Sequence, residues 1–194
     1  MKTLSKESLG EYKDKGSRFI AFAFPCDNLV LFDNKLEQLK KEHFKARHHC
    51  YAWRLGFNGE EFRANDDGEP SGTAGIPIYN QLLSFELSNS AIIVVRYFGG
   101  TLLGTSGLIK AYKTASLYAL EKAELNDLIE KITYNLELNY QKLNEALYLI
   151  EKLNLEIIER NFAENANLII AVEKAQEKIM QESLKNLVIK MDKK

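Results

Sequence analysis

Apolar and polar positions along this chain follow two rhythms, and the change from one to the other marks out its elements. Leu29, Phe32, Leu36 and Leu39 recur at helical spacing, which predicts a helix from about Asn28 to His43 with those residues on one stripe. His43 continues the stripe and reads as a packed or capping residue. A strand near Arg18 to Phe24 precedes the helix, and strands at His48 to Phe57 and about Glu61 to Ala64 follow it. The continuous apolar run Ile92 to Val95 reads as a strand buried on both faces. Near Gly107 a helical pattern begins, with Leu108, Tyr112, Ala115, Ala119 and Ala123 on one face.

Past a linker at Leu125 to Glu130 the pattern is different. Ile132, Tyr134, Leu136 and Leu138 alternate strictly, as in a one-sided strand. Leu143, Ala146, Leu147, Ile150 and Leu153 make a helical stripe. Strands near Leu155 to Arg160 and Asn167 to Val172, a helix around Ala175 to Leu187 carrying Ile179 and Leu184, and a short final strand complete the order βαββαβ. That order is ferredoxin-like. The fold class expected is α+β in two domains, residues 1–126 and 127–194.

Between the apolar strand and the helix lie Arg96, Tyr97, Phe98, Gly99 and Gly100, a short apolar insert, then Gly104, Thr105, Ser106 and Gly107. A strand, a glycine-rich turn and a helix N-terminus together suit an anion, because backbone N–H groups face outward at the positive end of the helix dipole. The glycines serve equally well to turn the chain and let the helix pack closely. Thr105 stands where a P-loop needs lysine, and the dinucleotide fingerprint is absent. Arg96 tips the balance towards function, since an arginine ending a buried strand needs a carboxylate or a bound phosphate as partner.

The stretch Asn65 to Pro77 crowds Asp66, Asp67 and Glu69 around Gly68. Ser71 and Thr73 are natural caps, and Pro70 suits a first helical turn. Ile76, Leu82, Leu83 and Phe85 then look core-directed. Turn formation, capping and arginine pairing account for the carboxylates better than a metal does. In His48-His49-Cys50-Tyr51-Ala52-Trp53, only His48 and Cys50 share a strand face, too few ligands for zinc, and Cys50 reads as core. No catalytic residue, metal or cofactor is expected.

These stretches carry a resemblance to the YigZ/IMPACT family. The residues are His49-Cys50-x-Ala52, then Asp67-Gly68-Glu69-Pro70-Ser71-Gly72-Thr73-Ala74-Gly75, then Val94-Val95-Arg96-Tyr97-Phe98-Gly99-Gly100-x-x-Leu103-Gly104-x-x-Gly107-Leu108. Lys110-Ala111-Tyr112 fits the helix that follows, and the likeness spans roughly Gly10 to Glu124. The family often has Cys-Trp-Ala-Tyr at the first motif; here Tyr51 and Trp53 bracket Ala52. The resemblance implies a first domain similar to domain IV of EF-G, the fold of a ribosomal-protein second domain, and a second similar to domain V of EF-G. It also implies a non-enzymatic, translation-linked factor whose partner is the ribosome, RNA or a ribosome-associated protein.

Composition narrows the choice. A hydrophobic content of 45% supports cores, and a charged content of 27% keeps the surface polar. No run approaches a membrane span, the first residues lack the apolar core of a signal peptide, and the two cysteines, Cys26 and Cys50, read as reduced thiols of a cytoplasmic protein. The first domain carries net +1 and the second −2, so sequence-specific DNA binding is not expected. Arg47, Arg54, Arg63, Arg96, Lys110 and Lys113 could gather on one face with Tyr97 and Phe98, as cations beside aromatics grip RNA, while Lys110 and Lys113 are equally accounted for as solvating a helix face. The rival reading is a phosphate- or nucleotide-binding enzyme in which Arg96 and the turn hold phosphate and Asp66, Asp67 or Glu69 holds Mg²⁺ or acts as base. Oligomeric state has no signature in the sequence.

Overall fold

The apolar run at Ile92 lies in the middle strand of a five-stranded antiparallel sheet. The structure, a computed structural model, describes residues Met1–Lys194 and divides into two units, Met1–Leu128 and Ile129–Lys194. The first unit contains β1 (Lys2–Leu4), β2 (Ser8–Asp14), β3 (Ser17–Pro25), α1 (Leu29–Glu42), β4 (His48–Leu55), β5 (Glu61–Asn65), α2 (Gly75–Ser84), β6 (Ser90–Tyr97), α3 (Gly104–Leu120) and β7 (Leu125–Asp127). Its main sheet has the order β2-β3-β6-β4-β5.

Helices cover both faces of this sheet, which is why β6 reads as uninterrupted apolar sequence. Ile92 and Val94 join Phe19, Cys50, Ile78, Leu82, Leu108 and Tyr112 in the core beneath α2 and α3. Ile93 and Val95 face the other way, with Phe32, Leu39 and Trp53 under α1. Each helix buries a narrower stripe than its apolar content suggests. Leu29, Ile76 and Leu83 were expected in the core but are exposed. On α2 the buried pair is Ile78 and Leu82, one turn apart, and Ile76 and Leu83 fall outside that arc.

Three strands escape the hydrophobic pattern. β2 is an edge strand whose only buried residue is Gly10, so it has no alternation to detect. β1 pairs with β7, so Leu125–Asp127 is a strand where the linker was expected.

The second unit contains β8 (Lys131–Leu138), α4 (Tyr140–Lys152), β9 (Glu156–Phe162), β10 (Ala166–Glu173), α5 (Glu177–Leu184) and β11 (Val188–Lys193). The antiparallel order β11-β8-β10-β9 is ferredoxin-like. Ile132, Tyr134, Leu136 and Leu138 are all buried on one face of β8. A 3₁₀ turn at Lys174–Gln176 delays the last helix, so Met180 and Leu184 face the core and Ile179, expected there, is exposed. No helix of either unit is long and apolar enough to cross a membrane.

Candidate functional site

Strand alternation sends Arg96 to the α2/α3 side of β6 and Tyr97 to the α1 side. Arg96 stands opposite Phe19 of β3 and His48 of β4. It is only 5% exposed, and its guanidinium carbon lies 5.4 Å from the centre of the Phe19 ring. Nη1 donates to Oε1 of Glu69 at 2.5 Å. The same oxygen accepts the Tyr112 hydroxyl at 2.7 Å. The Cys50 thiol completes the chain, 3.3 Å from the Tyr112 oxygen and 3.0 Å from the Asp66 carbonyl. Of the two partners the sequence left open for Arg96, this is the carboxylate.

Glu69 reaches Arg96 because the loop before α2 is tied at several points. Asp66 Oδ1 accepts the N–H groups of Ala74 and Gly75, and Oδ2 accepts that of Gly72, at 2.8–2.9 Å. Burial works to raise the Asp66 pKa, but these three backbone donors outweigh it and hold the carboxyl below its ordinary value. Asp66 therefore caps α2 from a distance. Ser71 is exposed, and the Thr73 hydroxyl donates to the Pro70 carbonyl at 2.6 Å, so neither caps the helix as expected, and Pro70 lies ahead of it. Asp67 and Gly68 take φ of 40° and 83°, reversing the chain. Asp67 Oδ2 accepts the His49 backbone N–H at 2.6 Å, and its carbonyl lies 2.7 Å from His48 Nδ1. His48 Nε2 then points towards Glu69 Oε1, 3.9 Å away.

The glycine turn divides into two parts. Gly99 is a packing residue: a Cβ there would sit 1.9 Å from the backbone of Gly16. Gly100 and Gly104 have φ of 87° and 72° and open space around them. The helix starts earlier than the pattern suggested, so Gly104, Thr105, Ser106 and Gly107 form its first turn, and no side chain of the N-cap residue Leu103 satisfies their N–H groups. Phe98 is 39% exposed, with the guanidiniums of Arg47 and Arg96 each 5.6 Å from its ring centre. Arg96 Nε has no hydrogen-bond partner.

Other expected members stand elsewhere. Tyr97 faces α1, where its hydroxyl lies 2.9 Å from Nδ1 of His43, the α1 C-cap. The His49 side chain lies on that side too; burial lowers its pKa, and Nε2 is unpartnered. The six basic residues do not gather. Arg54, six residues along β4 from His48 and so roughly 20 Å away, donates to the carbonyls of Leu87 and Asn58. Arg63 pairs across the ladder with Trp53, which is buried under α1, so it lies on the side opposite Lys110 and Lys113 of α3.

Chemically, the centre is an internal polar staple. Burial pushes the Cys50 thiol and the Tyr112 hydroxyl far up, and the Cys26 thiol up to about 11, so neither thiol ionises near neutrality. No three of the His, Cys, Asp and Glu side chains converge as a metal cluster would. From the sequence Cys50 reads as core and Tyr112 as one member of a helix face; that Cys50 shares a strand face with His48, and Tyr112 a helix face with Leu108, is the available signal for their part in this chain.

Comparison with known proteins agrees with the motifs. The Impact N-terminal domain model matches residues 15–120. An IMPACT family member of Haemophilus influenzae is 36% identical over 164 residues, covering 84% of this chain and 80% of that protein. The IMPACT family member YigZ of Escherichia coli is 35% identical over 150 residues, covering 76% and 74%. A crystal structure of a hypothetical protein superposes with a TM-score of 0.81 at 30% identity, covering 95% of this chain and 91% of that one. With the family model matching more than half its length and two relatives above 30% identity along most of it, the chain belongs to the IMPACT family.

Proposed function

We propose that this protein is a non-enzymatic, translation-linked regulatory factor that binds the ribosome, RNA or a ribosome-associated protein in the cytoplasm. The observation that carries the reading is the use made of the motif carboxylates. Glu69 is held by Arg96 and Tyr112, Asp66 by three N–H groups, and Asp67 by the His49 N–H. Each therefore builds the loop and is a poor candidate for a Mg²⁺ ligand or a base. What the loop and turn present outward is a contact surface: Arg47, Phe98, Gly100, Gly104, Thr105, Ser106 and Lys110 are all exposed. Arg47 makes no ion pair and has Phe98 beside it, which suits a phosphate with a neighbouring base or an acidic protein segment. The translation-factor-like domains that the family resemblance implies support the reading as analogy.

The test is recovery of ribosomal material from cell lysate by the tagged chain, with and without RNase, against an Arg47→Ala/Phe98→Ala variant. Ribosomal RNA and protein recovered by the wild type and lost by the variant support the proposal. Recovery of no macromolecule, with a phosphate compound bound instead, favours the rival reading. That rival keeps one observation of its own: Gly100, Gly104 and the uncapped start of α3 form an open turn.

A further inference from the structure

A second surface lies outside the motif turn. α2 and α3 pack side by side, and the groove between them, of about 280 Å³, is lined by Gly72, Ile76, Pro77, Gln81, Ile109 and Lys113. Ile76 is 49% exposed on one wall and Ile109 42% on the other. Neither is needed by the core, which α2 and α3 already fill with Ile78, Leu82, Leu108 and Tyr112. Two large β-branched side chains facing water across one groove leave an apolar floor that a docked segment would cover.

Charge says what fills it. The sequences of α2 and α3, GIPIYNQLLS and GTSGLIKAYKTASLYAL, contain no acidic residue. Their only charges are Lys110 and Lys113, both exposed and neither in an ion pair. We propose that this groove docks an amphipathic, acidic helical segment of a partner protein, its apolar residues between Ile76 and Ile109 and its carboxylates at Lys110 and Lys113. α2 is 10 residues long, so the groove accommodates about three turns, read as apolar anchors at i, i+3 or i+4, and i+7. A second copy of this chain is a poor occupant, because a two-fold contact would set the lysines of one groove against those of the other. RNA is disfavoured by the apolar floor and by the lack of an exposed aromatic ring in the lining. The inference goes beyond the reading above: Gly72 belongs to the motif loop and Lys110 borders the motif surface, but Ile76, Ile109 and Lys113, which define the groove, belong to neither.

The experiment uses the full chain and a displayed library of random peptides about four helical turns long. Selection on the wild type is followed by counter-selection on an Ile109→Glu variant. The expected survivors carry apolar residues at helical spacing with Asp or Glu between them. A synthetic copy of the leading peptide is expected to bind roughly tenfold more weakly to Ile76→Ala and to Lys113→Glu, and equally well to Arg47→Ala/Phe98→Ala. Both groove side chains are exposed, so these variants are expected to keep the fold, which circular dichroism is used to check. No enriched peptide, basic rather than acidic survivors, or survivors indifferent to Ile76 and Ile109 would each overturn the proposal. So would a single-stranded RNA probe that competes with the peptide and loses binding in Ile76→Ala, because RNA would then be the occupant of the groove. Equal binding to the Arg47/Phe98 variant separates this result from any failure of the motif surface.

Discussion

Arg96 and Glu69 face each other across the interior at 2.5 Å, 27 residues apart in sequence, with neither side chain more than a tenth exposed. Breaking one side of a buried pair leaves an uncompensated charge, which costs about 3–5 kcal/mol, whereas removing both costs less than the sum. Arg96→Ala and Glu69→Ala are therefore each expected to destabilise the first unit strongly, and the double variant to recover part of the loss. Trp53, the only tryptophan, lies in that unit's core and reports its urea unfolding selectively. Strictly additive losses would show that the pair is not coupled.

Asp66 leads to a pH dependence. Its folded pKa lies below the ordinary value, because three backbone N–H groups prefer the carboxylate. The stability this contributes is fully present above the unfolded pKa, about 4, and is lost as pH falls through the folded value. Asp66→Asn is expected to lower stability at neutral pH by about 1–2 kcal/mol, the usual cost of a lost cap. It should also flatten the fall in stability below about pH 4. An unchanged acid limb in the variant would remove Asp66 from the account.

That pair and that cap show how far the sequence could be read. An arginine at the end of an apolar strand demands a partner, so the approach of the Asp/Glu loop to Arg96 was legible. Which of Asp66, Asp67 and Glu69 would pair was not, because the path of the loop depends on the positive φ of Asp67 and on bonds from residues 72 to 75. β6 was legible because both its faces are buried. β2 was not, since an edge strand with one buried residue leaves no periodic trace. The scattered basic group failed for a geometric reason. Arg47 and Arg54 sit at opposite ends of β4, and Arg63 on the α1 side, facts that residue type alone does not carry.

The thiols are expected to be inert while the protein is folded. Burial pushes Cys26 up to about 11 and Cys50 higher still, so the thiolate fraction at pH 8 is negligible. Mass spectrometry after iodoacetamide treatment should find neither residue alkylated in native buffer and both alkylated in denaturant. Rapid modification of Cys50 in the native protein would mean that the Cys50–Tyr112–Glu69 chain opens readily.

The motif surface can be tested apart from the fold. Arg47 is exposed and free of ion pairs, so Arg47→Ala should leave stability within about 0.5 kcal/mol of the wild type. If Arg47 contacts an RNA phosphate, the variant binds short RNA more weakly, and the slope of log affinity against log salt becomes shallower by about 1. Phe98→Ala should weaken binding by about 1–3 kcal/mol if a base stacks there, with the salt slope unchanged. The two variants thus separate charge from stacking at neighbouring side chains. Gly100 offers an independent check. Its φ of 87° strains any side chain, while the space around it stays open. Gly100→Val should therefore cost stability through backbone strain and, if the turn meets a phosphate, block its approach as well. RNA titrations at two salt concentrations, beside urea unfolding of each variant, resolve these effects. Unaltered RNA affinity in Arg47→Ala, Phe98→Ala and Gly100→Val together would exclude this surface as an RNA contact and leave a protein as the partner it serves.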